Sequence, residues 1–130
     1  MLLLFAVGHT LGFRNVDPSW GIDSMIQSMK TVHFQANGSE RTYWDFFVGF
    51  GLFVSVLMVL AAAFAWELGG LPAETLARMR ISTWGFAVCF AFVAYLSWRY
   101  FFLVPMVFSG VILVCLALAA WKAGLGPRTD

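Results

Sequence analysis

Residues 44–66 read WDFFVGFGLFVSVLMVLAAAFAW, an apolar run with a single charge, Asp45, at its beginning. A membrane span needs about 20 apolar residues, because a helix rises about 1.5 Å per residue. This run is longer than that. Trp44 and Trp66 mark its two ends, as is typical of an interfacial aromatic belt. The run therefore predicts a transmembrane helix over about 43–67.

Two further runs C-terminal to it are long enough to cross a membrane. Residues 81–98 are uncharged, and a helix start near Pro72 with Glu74 in the first turn predicts a span over about 73–98. Residues 101–121 are also uncharged, and Pro105 is compatible with the first turn of a span over about 102–122.

The composition of the whole chain agrees with a membrane protein. Of its 130 residues, 61% are hydrophobic and only 12% are charged, and the mean hydropathy is +0.81. Soluble proteins carry about 25% charged residues, so this chain has too little polar surface to face water all round. The net charge of +1 and the absence of a basic stripe argue against a nucleic-acid partner. We predict a single integral membrane domain over residues 1–130.

The first 13 residues form a shorter apolar run. They correspond to about 20 Å of helix, whereas the hydrocarbon core of a bilayer is about 30 Å thick. The run lacks the basic segment and cleavage site of a signal peptide. Two explanations stay open for a first span over about 1–13: the bilayer is thinner around it, or the true start codon lies further upstream. We favour the second.

The segment between the first and second spans has the pattern of an amphipathic helix. Asp17-Pro18 is a helix-start signal and Gly38 a stop signal. We predict a helix over about 22–34 that lies at the membrane interface or covers one end of the bundle as a lid. Five residues recur at helical spacing on its predicted inner face: Ile22, Met25, Ile26, Met29 and His33.

These elements predict an all-α fold: a four-helix transmembrane bundle with an interfacial amphipathic helix between helices 1 and 2. The number of spans places both termini on one side of the membrane and the amphipathic helix on the other, here called the lid side. Lysine and arginine are divided equally between the two sides, so the positive-inside rule gives little direction. We predict that both termini are cytoplasmic.

Polar residues within or beside apolar spans are the candidate functional groups, because such groups are costly in lipid. Connectivity alone brings them to the lid-side end. His9 and Asp45 are the candidate catalytic residues, and neither a cofactor nor a metal cluster is indicated. The candidate ligand-binding residues are Arg41, His33, Tyr43, Arg99 and Tyr100.

Each candidate also has a purely structural explanation. Thr42-Tyr-Trp-Asp45 matches a capping box, in which Asp45 bonds backbone N–H groups at the start of its own helix. The arginines are able to extend to lipid headgroups, and His33 fits a packed position on an apolar face. His9 lies between Gly8 and Gly12, which would allow close helix approach, and Asp45 is the nearest acid by topology. A His9–Asp45 pair would either move a proton or lock two helices together.

Three stretches resemble a family of small bacterial four-helix membrane proteins of uncharacterised function: GHTLGF at 8–13, SMKTVHF at 28–34 and GSERTYWDFFVGFG at 38–51. The resemblance extends over nearly the whole chain and is strongest in the first 51 residues. It implies location in a bacterial inner membrane and a longer first helix. The architecture is also similar to that of DoxX-like and sterol-isomerase-like proteins, although no catalytic motif of either group is matched.

These observations favour a membrane module that binds a small amphiphilic ligand, such as a quinone or an isoprenoid lipid, in a lid-side pocket. His9, Asp45 and Arg41 would contact the polar head, and phenylalanines would line the tail. One alternative is an enzyme that performs proton transfer or redox chemistry on such a lipid, with His9 as proton donor or acceptor and Asp45 orienting it. Another is a structural or assembly subunit of a homo-oligomer or larger membrane complex.

Overall fold

The computed structural model describes residues 1–124, so the end of the predicted C-terminal tail lies outside the described residues. Three of its helices are long and apolar enough to cross a membrane, and they overlap the three longer predicted spans. A fourth apolar helix at the N-terminus is only 11 residues long. In chain order the elements are α1 Leu2–Gly12, α2 Asp23–Thr31, β1 His33–Ala36, β2 Ser39–Thr42, α3 Tyr43–Gly69, α4 Ala73–Arg78, α5 Arg80–Tyr100 and α6 Leu103–Gly124.

The chain forms two compact units. The first, here called the hairpin unit, comprises Ala6–Leu60 and holds most of α1, all of α2, β1 and β2, and the first two-thirds of α3. The second comprises Met1–Phe5 and the chain from Ala61 onward, and is here called the C-terminal unit.

In the C-terminal unit, α5 and α6 are joined by a two-residue turn and pack along faces of mostly small side chains. Small residues allow helix backbones to approach closely in lipid, where packing rather than the hydrophobic effect holds helices together. Large apolar side chains point outward, as expected for surfaces that contact lipid. The buried residues are Thr83, Ala87, Phe90 and Ser97 on α5, and Ser109, Ile112, Ala120 and Ala123 on α6.

The predicted continuous span over 73–98 is instead divided at Met79, where φ is −92° and ψ is 32°. The Thr83 hydroxyl donates to the carbonyl groups of Met79 and Arg80, both at 3.2 Å. Hydroxyl bonds of this kind to the preceding turn bend helices. Because the break lies where the apolar run begins, α4 is outside the candidate span and α5 carries it alone.

The segment after α1 starts with a short 3₁₀ turn, Pro18–Trp20, which precedes the amphipathic helix. Asp17 caps this turn by accepting a hydrogen bond from the Ser19 backbone N–H at 2.8 Å. The Ser19 hydroxyl and N–H together lower the pKa of the Asp17 carboxyl. Gly21, with a φ of 65°, ends the turn, so the start signal at Asp17-Pro18 belongs to this turn and not to the amphipathic helix that follows.

The amphipathic helix α2 is confirmed in its centre but ends earlier than predicted. Ile22, Ile26 and Met29 are half-buried, as expected for the inner face, whereas Met25 is exposed. His33, predicted as the last residue of this face, is exposed and lies on a strand.

An antiparallel β-hairpin replaces the predicted end of the helix. His33 pairs with Thr42 and Ala36 with Ser39, and the turn between the strands is Asn37-Gly38. Both turn residues have positive φ, 50° and 82°, as a two-residue hairpin turn of type I′ requires. The helical prediction for 32–34 and the helix-stop role of Gly38 were therefore wrong, because the Asn-Gly turn signal outweighs the apolar spacing.

We expect Gly38→Ala to weaken the hairpin, because an alanine at a φ of 82° is strained by about 1 kcal/mol or more. Hydrogen exchange of the amides in β1 and β2 should become about five- to tenfold faster in the detergent-solubilised protein. Gly85→Ala is the control, since Gly85 is helical with open space around it. Unchanged exchange in Gly38→Ala would contradict the strained turn.

Candidate functional site

Within the hairpin unit, α1 and α3 are joined by a cluster of polar side chains. His9 Nδ1 lies 3.1 Å from Ser55 Oγ, and the Thr10 hydroxyl lies 2.8 Å from the same oxygen. The Ser55 hydroxyl is also 3.2 Å from the Gly51 carbonyl, and Thr10 is within 2.7 Å of the Ala6 carbonyl. Ser55 is buried, with 7% of its surface exposed. The cluster is therefore a polar contact between two apolar helices.

The predicted hydrogen bond between His9 and Asp45 was wrong. Ser55 is ten residues beyond Asp45 on α3, which corresponds to about 15 Å along the helix axis. Since His9 bonds Ser55 at that depth, its imidazole pairs with a hydroxyl deep in the apolar run and not with the acid at the helix start. The sequence signal for this partner was present, because Ser55 is the one hydroxyl residue between Phe46 and Ala65.

The close approach between α1 and α3 occurs at Gly51 and not at the glycines of α1. The Phe13 ring lies against Gly51 so closely that a Cβ there would overlap it. The ring also stacks on His9, with centroids 5.2 Å apart, and packs against Phe47 at 5.8 Å. Within the described chain, a Cβ at Gly8 or Gly12 would meet no atom within 4 Å, so their predicted packing role was wrong.

Asp45 closes the capping box that the sequence pattern indicated. Its Oδ2 accepts a hydrogen bond from the Thr42 backbone N–H at 2.8 Å, and the Thr42 hydroxyl accepts one from the Asp45 N–H at 3.2 Å. Thr42 is buried and ends β2, so this reciprocal pair turns the chain from the hairpin into α3. The Asp45 carboxylate is thereby held in position while remaining exposed.

An open groove runs along the surface of α3 from this point. Its volume is about 340 Å³, at the lower end of the range for small-molecule sites. Charged side chains form one end and phenylalanines the rest. The lining residues are Arg41, Asp45, Phe46, Gly49, Phe50 and Phe53.

Arg41 and Asp45 lie in the same groove without pairing with each other. Within residues 1–124 the only contact within 4 Å between a basic and an acidic side chain joins His33 and Glu40, at 3.2 Å. The Arg41 guanidinium donates one hydrogen bond to the Glu40 carbonyl at 2.7 Å. Its remaining N–H groups are available to a ligand, as guanidinium has five donors.

The hairpin and α2 are attached to the first turn of α3 by aromatic contacts. Phe34 packs against Tyr43, with centroids 5.0 Å apart, and stacks on Phe46 at 5.9 Å. Lys30 Nζ lies 4.6 Å from the centre of the Trp44 ring, a cation–π contact. These contacts fix the charged end of the groove, although His33 and Tyr43 do not line it.

Arg99 and Tyr100, two further predicted ligand-binding residues, end α5 in the C-terminal unit. The Arg99 guanidinium lies 5.2 Å from the centre of the Tyr100 ring, and both side chains are exposed. Their role in ligand binding stays a prediction.

The three apolar helices place the chain in the class of helical membrane proteins. Comparisons with known protein families, with curated proteins and with solved structures found no match. The function is therefore inferred from the geometry of this chain alone.

We expect Ser55→Ala to lower the free energy of unfolding by about 1–2 kcal/mol, because it leaves His9 and Thr10 without their shared partner. Titration with a denaturing detergent measures this. Ser109→Ala is the matched control: Ser109 is fully buried but bonds only carbonyls of its own helix, so its loss should cost less. Equal losses in the two variants would contradict an interhelical role for Ser55.

Gly49→Ala and Gly51→Ala form a second matched pair on α3. Alanine raises helix propensity by up to about 1 kcal/mol at both positions. Gly49 has open space, so the full gain should appear in the free energy of unfolding. At Gly51 the added methyl displaces the Phe13 ring from His9 and Phe47, so the gain should vanish or reverse. Similar gains in both variants would show that Phe13 moves at no cost.

Proposed function

We propose that this protein is a multi-pass membrane protein that binds a small amphiphilic, lipid-like ligand in the α3 groove. The observation that carries the proposal is the order of groups along the groove. Arg41 and Asp45 form its polar end, and Phe46, Phe50 and Phe53 follow along the helix. A molecule with a polar head and an apolar tail matches this order.

The depth of the groove in a bilayer supports the same proposal. Tyr43 and Trp44 lie at the start of the apolar run of α3, at the position where aromatic residues meet lipid headgroups. From Asp45 to Phe53 the helix rises about 12 Å, which leads from the headgroup level into the acyl-chain region. The ligand would thus enter laterally from the membrane, in the orientation of the surrounding lipids.

The finer architecture is part of this proposal. α1 would serve as the fourth membrane helix of a bundle, and α2 would lie at the interface with Ile22, Ile26 and Met29 toward the apolar side. The Lys30–Trp44 contact supports this placement, because it holds α2 beside the first turn of α3. A bacterial inner membrane, cytoplasmic termini and a single integral membrane domain complete the proposal.

The geometry favours binding over catalysis. An enzyme built on His9 and Asp45 would need the two groups together, but His9 bonds Ser55 and the Asp45 carboxylate takes part in a capping box. His9 is also absent from the groove lining. We therefore assign His9 to helix packing, with Arg41 and Asp45 as the residues that meet the ligand.

Filling the groove tests the proposal. Gly49→Leu adds a side chain in open space within the groove, so it should block the ligand without disturbing the fold. We expect the lipid or small molecule retained after purification, identified by mass spectrometry, to fall at least about tenfold, the loss that follows from about 1.4 kcal/mol of lost contact. Gly85→Leu, on α5 and also in open space, should retain it.

Two results would count against binding in the groove. If the unaltered protein retains lipids in the same proportions as the surrounding membrane, the chain is better explained as a structural or assembly subunit. If a specific ligand is retained equally by Gly49→Leu, it binds elsewhere in the protein.

A further inference from the structure

We propose that the groove selects a zwitterionic head that carries both a phosphate and a primary ammonium, as in phosphatidylethanolamine. This inference rests on the proposed function and names the class of its ligand. It is carried by the juxtaposition, at the polar end of a single groove, of one base and one acid that form no ion pair within residues 1–124.

Arg41 supplies the site for the phosphate. Guanidinium presents donors in a fork that matches phosphate oxygens, and it is always charged. The bond to the Glu40 carbonyl uses one N–H and anchors the side chain beside the groove. The phosphate would accept from the N–H groups that remain.

Asp45 supplies the site for the ammonium. The bond from Thr42 uses Oδ2 and holds the carboxylate in position. A carboxylate only accepts hydrogen bonds, so its exposed oxygen can accept one from a donor on the ligand. A primary ammonium offers three N–H donors, whereas the carbonyl oxygen of a quinone offers none and would face the carboxylate unfavourably.

Arg41 and Asp45 together disfavour head groups that are purely anionic or uncharged. A purely anionic phospholipid would neutralise Arg41 but place its negative charge beside Asp45. An uncharged head would give neither charge an ionic partner near the hydrocarbon, where charges are costly. A zwitterion satisfies both at once and leaves the net charge of the occupied groove at zero.

Lipid competition tests this inference. Delipidated protein is reconstituted in nanodiscs that contain equal amounts of phosphatidylethanolamine, phosphatidylcholine and phosphatidylglycerol, and retained lipid is counted by native mass spectrometry. We expect phosphatidylethanolamine to exceed phosphatidylglycerol by about fivefold, the effect of one partly exposed ion pair. Phosphatidylcholine should fall between them, because its quaternary ammonium carries charge but donates no hydrogen bond.

Two variants test whether the lipid preference depends on Asp45 and Arg41. Asp45→Asn keeps an amide oxygen for the bond from Thr42, so the helix start should survive while the preference over phosphatidylglycerol disappears. Arg41→Gln should reduce retention of all three phospholipids. Asp23→Asn and Arg14→Gln change exposed charges that do not line the groove, and should behave as the unaltered protein. Helix content by circular dichroism monitors folding.

The outcomes separate this inference from the proposed function. Three results would overturn the proposed preference for a zwitterionic head. They are equal retention of the three lipids, an Asp45→Asn variant that keeps the preference, and selective retention of an added quinone. If Gly49→Leu still lowers retention in those cases, amphiphile binding in the groove stands. If Gly49→Leu has no effect on any lipid, both proposals fail.

Discussion

Polar side chains within apolar helices have no water to bond in a membrane, so each must find a partner within the protein. Ser109 and Thr83 meet this requirement with carbonyl groups of their own helices. Ser55 meets it differently, because its hydroxyl lies within hydrogen-bonding distance of His9 and Thr10 on α1. The shared Ser55 oxygen therefore fixes the position of α1 along the α3 axis in the hairpin unit. In this position the Phe13 ring packs against Gly51.

The backbone N–H groups at the start of α3 also need hydrogen-bond partners. Its first free N–H groups are satisfied by the reciprocal bonds of Thr42 and Asp45, and Phe34 packs the hairpin onto the same turn. As a result, Asp45 is held in place for a structural reason and yet presents charge to the groove. Arg41, at the end of β2, is brought beside it by the hairpin register. The candidate site is therefore a consequence of how the helix begins.

Local patterns predicted much of this arrangement. The long apolar runs, the capping box at Thr42–Asp45 and the centre of α2 depend on interactions within a few residues, which periodicity and spacing reveal. The hairpin was also encoded locally, in Asn37-Gly38, but the apolar spacing that includes His33 pointed to a longer helix. The helix was predicted too long because a four-residue strand shows too few alternations to be distinguished from a helical repeat.

By itself, the sequence determined that the chain is a helical membrane protein. Its apolar runs are too long and too poor in charge to face water, and in lipid a helix satisfies its own backbone hydrogen bonds. Only the tertiary structure decided the partners. Connectivity predicted that His9 and Asp45 lie at the same end of their helices, but the depth and rotation of α1 against α3 selected Ser55 instead. Which faces of two helices meet depends on side-chain packing between segments distant in sequence. No spacing within either helix specifies that packing. The groove, in contrast, is lined by residues of one face of α3 and by Arg41 just before the helix.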